Sequence, residues 1–101
     1  MDMIEAVSSI ATITFDGQLV TITRPKSARS YRIDQITGLQ WRAAGLLYNG
    51  YLRLAVRGVA DVRGKGGRVD LLRDELAAPF TRGNQPAFEQ VRAAIEQALA
   101  Q

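Results

Sequence analysis

Ala78-Pro-Phe-Thr-Arg-Gly-Asn-Gln-Pro-Ala-Phe-Glu-Gln-Val-Arg-Ala-Ala-Ile-Glu-Gln-Ala-Leu99 decides the fold. It reads as a short strand at Pro79-Phe-Thr-Arg82, a tight break at Gly83, and one amphipathic helix. Asn84 is an N-cap residue type, and Pro86 is tolerated in the first turn, where its missing N–H has no intrahelical partner. Phe88, Val91, Ile95 and Leu99 recur at three- and four-residue steps, with Ala98 filling in, so they form a single apolar stripe. Glu89, Arg92 and Glu96 fall on the polar side, spaced for i,i+3 and i,i+4 pairs. Everything upstream reads as strand and turn. One helix closing an otherwise β chain serves to cover the open side of a curved sheet.

Working back from the helix, Ile10-Ala-Thr-Ile-Thr-Phe15 and Leu19-Val-Thr-Ile-Thr23 both alternate apolar residues with Thr. Asp16-Gly17 between them is the pair a type I′ hairpin turn favours. A turn centred there sets Ile13 opposite Val20, Ala11 opposite Ile22 and Thr12 opposite Thr21. Arg24-Pro-Lys-Ser-Ala28 interrupts the pattern as a loop, because Pro25 cannot donate to a ladder. Ser30-Tyr-Arg-Ile33 resumes as strand, Asp34-Gln35 marks a kink, and residues 36–42 continue with Leu39 and Trp41 on one face. Gly45 and Asn49-Gly50 bend the connection over residues 43–50. Tyr51-Leu-Arg-Leu-Ala-Val56 is the next strand, with Leu52, Leu54 and Val56 inward and Tyr51, Arg53 and Ala55 outward. Residues 58–75 carry a flexible basic stretch, Gly64-Lys-Gly-Gly-Arg68, and leave a short strand at 69–72 open.

Composition narrows the function. The 101 residues form one domain, with strands over about residues 10–82 and a helix over about 84–100. At 47% hydrophobic the chain can build a core. No apolar run approaches the ~18 residues of a membrane span. The start, Met1-Asp-Met-Ile-Glu-Ala-Val7, lacks the basic and apolar regions of a signal peptide, so a cytoplasmic protein is expected.

The chain has no Cys and no His. Disulfides, structural zinc, cysteine nucleophiles and His-activated serines are all excluded. Asp34, Asp61, Asp70, Asp74 and Glu75 show no metal-loop spacing and read as surface charge. Ser8, Ser9 and Ser27 have no base to activate them. A non-enzyme without cofactor, metal or small-molecule substrate is the expectation.

The order of elements resembles a pleckstrin-homology-like (PH-like) domain, an antiparallel β-barrel or bent sheet capped by a C-terminal helix. Phe15-Asp-Gly, Ile33-Asp-Gln-Ile36, Leu39-Gln-Trp41, Gly45, Asn49-Gly-Tyr-Leu52, Phe80-Thr and Pro86-Ala-Phe-Glu-Gln-Val-Arg-Ala-Ala-Ile95 resemble an uncharacterised group of such domains from actinobacteria and their phages. The resemblance spans roughly residues 10–99. Members of that group often carry a short C-terminal oligomerisation module, which has no counterpart here. Bacterial PH-like domains resemble one another in forming homo-oligomers. The lipid-binding members of the wider fold share a basic loop between the first two strands. Here that loop is the tight, acidic Asp16-Gly17.

Two surfaces are candidates. Arg24, Lys26, Arg29 and Arg32 form the densest basic cluster of a chain whose net charge is +3, to which Arg63, Lys65 and Arg68 could add. They suit phosphate groups on anionic lipid or nucleic acid, although neither interleaved aromatics nor a nucleic-acid motif accompanies them. The plain alternative is a solvated strand face. Leu46, Leu47, Tyr48 and Tyr51 bunch apolar groups in a connection, where loops are normally polar. They suit a protein contact or a membrane touch, or they complete the core. Leu47 leans to the core and Tyr48 to the surface, while Trp41 reads as core. The favoured reading is a protein-binding, self-associating module, with anionic lipid or nucleic-acid binding as the alternative.

Overall fold

The computed structural model describes residues 3–58 and 75–101. Among them, β1 (Ile4–Val7), β2 (Thr12–Phe15), β3 (Leu19–Arg24) and β4 (Ser27–Arg32) form a four-stranded antiparallel sheet in sequence order. A 3-10 turn at Ile33–Gln35 leads into a second antiparallel sheet of β5 (Ile36–Arg42), β6 (Gly50–Val56) and β7 (Ala77–Phe80). Helix α1 (Gln85–Leu99) closes the chain. The fold is mainly β with one C-terminal helix, the helix-capped bent-sheet arrangement of PH-like domains.

The core follows the two-residue period of the strands. Ile13 and Phe15 of β2, Val20 and Ile22 of β3, and Leu52, Leu54 and Val56 of β6 are all buried. Phe88, Val91 and Ile95 bring the helix stripe onto them, and Leu99 packs half-buried at its end. The Phe80 ring stacks on Phe88 with centroids 4.7 Å apart and tilts against Trp41 at 5.0 Å. Three elements that are distant in sequence are joined by these rings. On the outer side Arg92 lies over the Trp41 ring at 4.9 Å while its Nε donates to Glu96 Oε1 at 2.7 Å.

The first hairpin keeps its faces but changes its register. Ile13 stands opposite Ile22 and Phe15 opposite Val20, so the pairing slides by two residues from the type I′ expectation. Asp16 is the reason. Its Oδ1 accepts from the backbone N–H groups of Leu19 and Gln18, at 2.7 and 2.8 Å, and so it sits before the turn instead of inside it. These two bonds hold the carboxyl below its ordinary range. Of the two central residues, Gly17 and Gln18, only Gly17 takes positive φ, at 101°, as the first central residue of a type II′ turn does. A shift of two leaves every side chain on its face.

Three further boundaries differ. Ile4–Val7, not anticipated as strand, forms β1 against β2. The expected loop at 24–28 shrinks to a two-residue turn, Pro25-Lys26, because Arg24 pairs with Ser27. The last strand lies at Ala77–Phe80 and stops before Thr81. There Asn84 N–H donates to Thr81 O at 3.0 Å and turns the chain into the helix. Asn84 occupies the N-cap, but its Oδ1 accepts from Thr81 Oγ1 at 2.9 Å and makes no cap bond. The open strand at 69–72 lies outside the described residues.

Side chains stitch the two sheets together along β7. Pro79 and Ala77 point their carbonyls away from β6, and Pro79 thereby places its missing N–H on the same outer side. Ser8 Oγ donates to Pro79 O at 2.7 Å, and Arg24 Nη1 donates to Ala77 O at 2.9 Å. Arg53, expected to point outward into solvent, does lie on the face away from the core, yet it is fully buried. It sits on the central strand between Gln40 of β5 and Ala77 of β7.

Candidate functional site

The β5–β6 connection presents an apolar tip. Gly45 N–H donates to Tyr48 O at 3.0 Å, closing a four-residue turn whose central residues are Leu46 and Leu47. Central turn residues project away from the chain reversal, so Leu46 is 84% and Leu47 97% exposed, with Tyr48 at 57%. The expectation that Leu47 packs into the core is overturned. Covering each leucine would be worth about 1.5–3 kcal/mol, so the fold forgoes a sizeable stabilisation here.

The tip is held firmly from below. The Arg42 guanidinium lies between two rings, 5.2 Å from the centroid of Tyr48 and 4.9 Å from that of Tyr51. Arg42 Nη2 also donates to Asn49 O at 2.6 Å. Such cation–ring contacts contribute about 0.5–1 kcal/mol each at exposed sites. Gly45 lets the Tyr48 ring fold back, since a Cβ there would meet ring atoms at 2.6 Å. On the other flank Ala44 N–H donates to Gln85 Oε1 at 2.8 Å, tying the connection to the first turn of α1. A shallow depression beside the tip is lined by Leu46, Tyr48, Thr81, Arg82 and Gly83.

Tyr51 is half-buried and faces its cross-strand neighbour Arg42, so it serves the brace more than the contact. Arg42 and Gln85 escaped the reading of the sequence. An arginine at the end of one strand with Tyr48 and Tyr51 both following it across the bend was the available signal for the first, whereas a contact between residues 44 and 85 leaves none.

The basic cluster does not form one surface. Arg24 and Arg29 share the side of β3 and β4 that carries Val20 and Ile22, whereas Arg32 alternates to the opposite face. Arg24 is engaged with Ala77 O. Arg29 Nε meets Glu75 Oε2 at 2.7 Å, a bond that raises the guanidinium pKa further, and Arg32 Nη2 meets Asp34 Oδ2 at 2.8 Å. Lys26 is exposed at the tip of the β3–β4 turn. Ser8 acts structurally, accepting from Ile10 and Ala11 N–H while bridging to Pro79. Arg63, Lys65, Arg68, Asp61, Asp70 and Asp74 lie outside the described residues. Among the described residues no cluster of three acidic, His or Cys side chains could hold a metal, and no helix is long and apolar enough to cross a membrane.

A family model described as a domain of unknown function, DUF4429, matches residues 13–96. The chain belongs to the DUF4429 family. The DUF4429 span runs from within β2 to near the end of α1 and contains both the braced tip and the whole of β4. No curated protein and no solved structure matches the chain.

Proposed function

We propose that this DUF4429 chain is a non-enzymatic, PH-like interaction module that binds protein and self-associates, with the cytoplasm as its compartment. The observation that carries the reading is the bare Leu46-Leu47 pair on a connection braced by Arg42, Tyr48, Tyr51 and Gln85. Apolar side chains already fixed in place lose little freedom on docking, which is how a few residues come to dominate an interface. Leu46 and Tyr48 are the contact residues, Leu47 joins them, and Tyr51 supports them.

Binding of anionic lipid or nucleic acid through Arg24, Lys26, Arg29 and Arg32 is the weaker reading. Three of those four cations already serve acceptors within the chain.

Capture from the extract of the native host tests the tip. With the wild-type chain as bait, a protein is retained in stoichiometric amount. With the Leu46→Asp/Leu47→Asp variant the same protein is lost while the circular dichroism spectrum is unchanged. Equal retention by both baits would refute the tip as the contact, and retention of anionic vesicles instead of protein would move the reading to a membrane.

A further inference from the structure

We propose that two copies of this chain pair antiparallel through the outer edges of their β4 strands, about a two-fold axis at Ser30. This rests on the self-association reading above and names the surface that performs it.

The argument begins with backbone polarity. Ile33 N–H donates to Gln18 O at 2.7 Å, which fixes the alternation along β4. Residues of the same parity, Ser27, Arg29 and Tyr31, turn their backbone groups toward β3. Ala28, Ser30 and Arg32 turn theirs outward. Arg32 N–H is taken by Gln35 Oε1 at 2.9 Å, as an outward group would be. Among the described residues nothing pairs with the outward N–H and C=O of Ala28 and Ser30, and β4 is the edge of its sheet.

Edges are usually guarded by proline, a bulge, charged side chains or a covering segment, and of these β4 carries only Arg29 and Arg32, both engaged within the chain by Glu75 and Asp34. β4 runs Ser-Ala-Arg-Ser-Tyr-Arg in unbroken register with β3, and Ala28, Arg29 and Ser30 are all exposed. By contrast, side chains from the first sheet occupy the outer carbonyls of β7, the edge of the second sheet. Among the described residues, side chains close that edge and leave this one open.

Charge selects a second copy and its register. A two-fold at Arg29 would set guanidinium against guanidinium, and like charges directly opposite destabilise a pair. A two-fold at Ala28 would set Arg32 against the partner's Arg24. The axis at Ser30 sets Arg29 against the partner's Tyr31 and Ala28 against the partner's Arg32. Ser30 then exchanges both backbone bonds with the partner's Ser30, while the N–H and C=O of Arg32 stay with Gln35 at the start of the 3-10 turn and end the pairing there. The cation-on-ring and small-beside-large pairs are complementary, and no like charges stand directly opposite one another.

The chain has no cysteine, so single-cysteine variants report the pairing without interference. In an antiparallel pair the Cα atoms of opposed residues lie about 5.5 Å apart, within disulfide reach. The full chain carrying Ser30→Cys, oxidised with copper–phenanthroline, should form a covalent dimer. Ala28→Cys should not, because two residues on either side of the axis separate its thiols by about 14 Å at ~3.4 Å per residue. Ser30→Pro removes the outward N–H together with the 2.7 Å bond between Ser30 Oγ and Thr21 Oγ1, and should give a monomer by light scattering with the native near-ultraviolet spectrum retained, whereas Ser30→Ala, which loses the hydroxyl bond alone, should stay dimeric. Cross-linking of both cysteine variants alike, or a dimer that survives Ser30→Pro and yields no Ser30→Cys disulfide, would overturn the β4 pairing while leaving self-association standing. A wild-type monomer at every concentration would overturn both.

Discussion

Phe80→Ala should cost about 3–5 kcal/mol, enough to leave the chain marginally folded at room temperature. The ring is fully buried and holds three elements together. It carries β7, touches Trp41 of β5 at 5.0 Å, and stacks on Phe88 of α1 at 4.7 Å. Truncation opens a cavity where sheet and helix meet, and neither neighbour can collapse into it, because each is fixed by its own element. Urea unfolding followed by Trp41 fluorescence measures the loss, and the native emission should shift to the red as the indole loses its cover. Phe80→Leu, which keeps most of the volume, should lose markedly less. A loss below about 1 kcal/mol for Phe80→Ala would mean that the ring stack does not anchor the helix.

Gly50→Ala is the second large effect, and it arises from a single added methyl group. Gly50 has ordinary backbone angles, so strain in φ is not the issue. Space is. A Cβ would lie 2.5 Å from Arg42 O, 2.5 Å from Phe80 Cε1 and 2.6 Å from Ala44 N. Two of those atoms are backbone and the third belongs to the central ring of the stack, so none can yield cheaply. Overpacking of this kind costs about 1–3 kcal/mol, and the close approach of two backbones puts this site at the upper end. The strain also falls on the strand ends that carry the tip, so Tyr48 should leave Arg42. Thermal unfolding with tyrosine-resolved NMR reads both effects. A variant as stable as wild type would show that β5 and β6 approach each other less closely at this point.

Much of the fold was legible because it depends on periods. The stripe Phe88, Val91, Ile95 and the rows Leu39/Trp41 and Leu52/Leu54/Val56 place residues on faces, and faces survive small errors of alignment. Register does not. Asp16 accepts two backbone bonds and so moves the turn by one position, and no periodicity reports that competition. Ile4–Val7 is four residues long with a single buried side chain, too short to announce itself as strand.

The candidate site was legible in part. The unusual apolar content of residues 46–51 marked the tip. That Leu47 faces solvent follows from the Gly45–Tyr48 turn bond, which places both leucines at its centre. The basic residues looked like a cluster because they are close in sequence. Their spacing already carried the opposite message, since two residues three apart on one strand, such as Arg29 and Arg32, must point to opposite faces.

The central claim is that contacts form at the tip and the β4 edge, while the helix is structural. Amide shifts of the full chain in ¹⁵N-labelled form, recorded by NMR across a wide concentration range, test it most directly. Residues 28–32 should shift with concentration and lose solvent exchange, and Leu46 and Leu47 should respond only when a partner protein is added. The buried stripe Phe88, Val91 and Ile95 should stay unmoved. Shifts confined to the outer helix face at Glu89, Ala93 and Glu96, or none at any concentration, would contradict it.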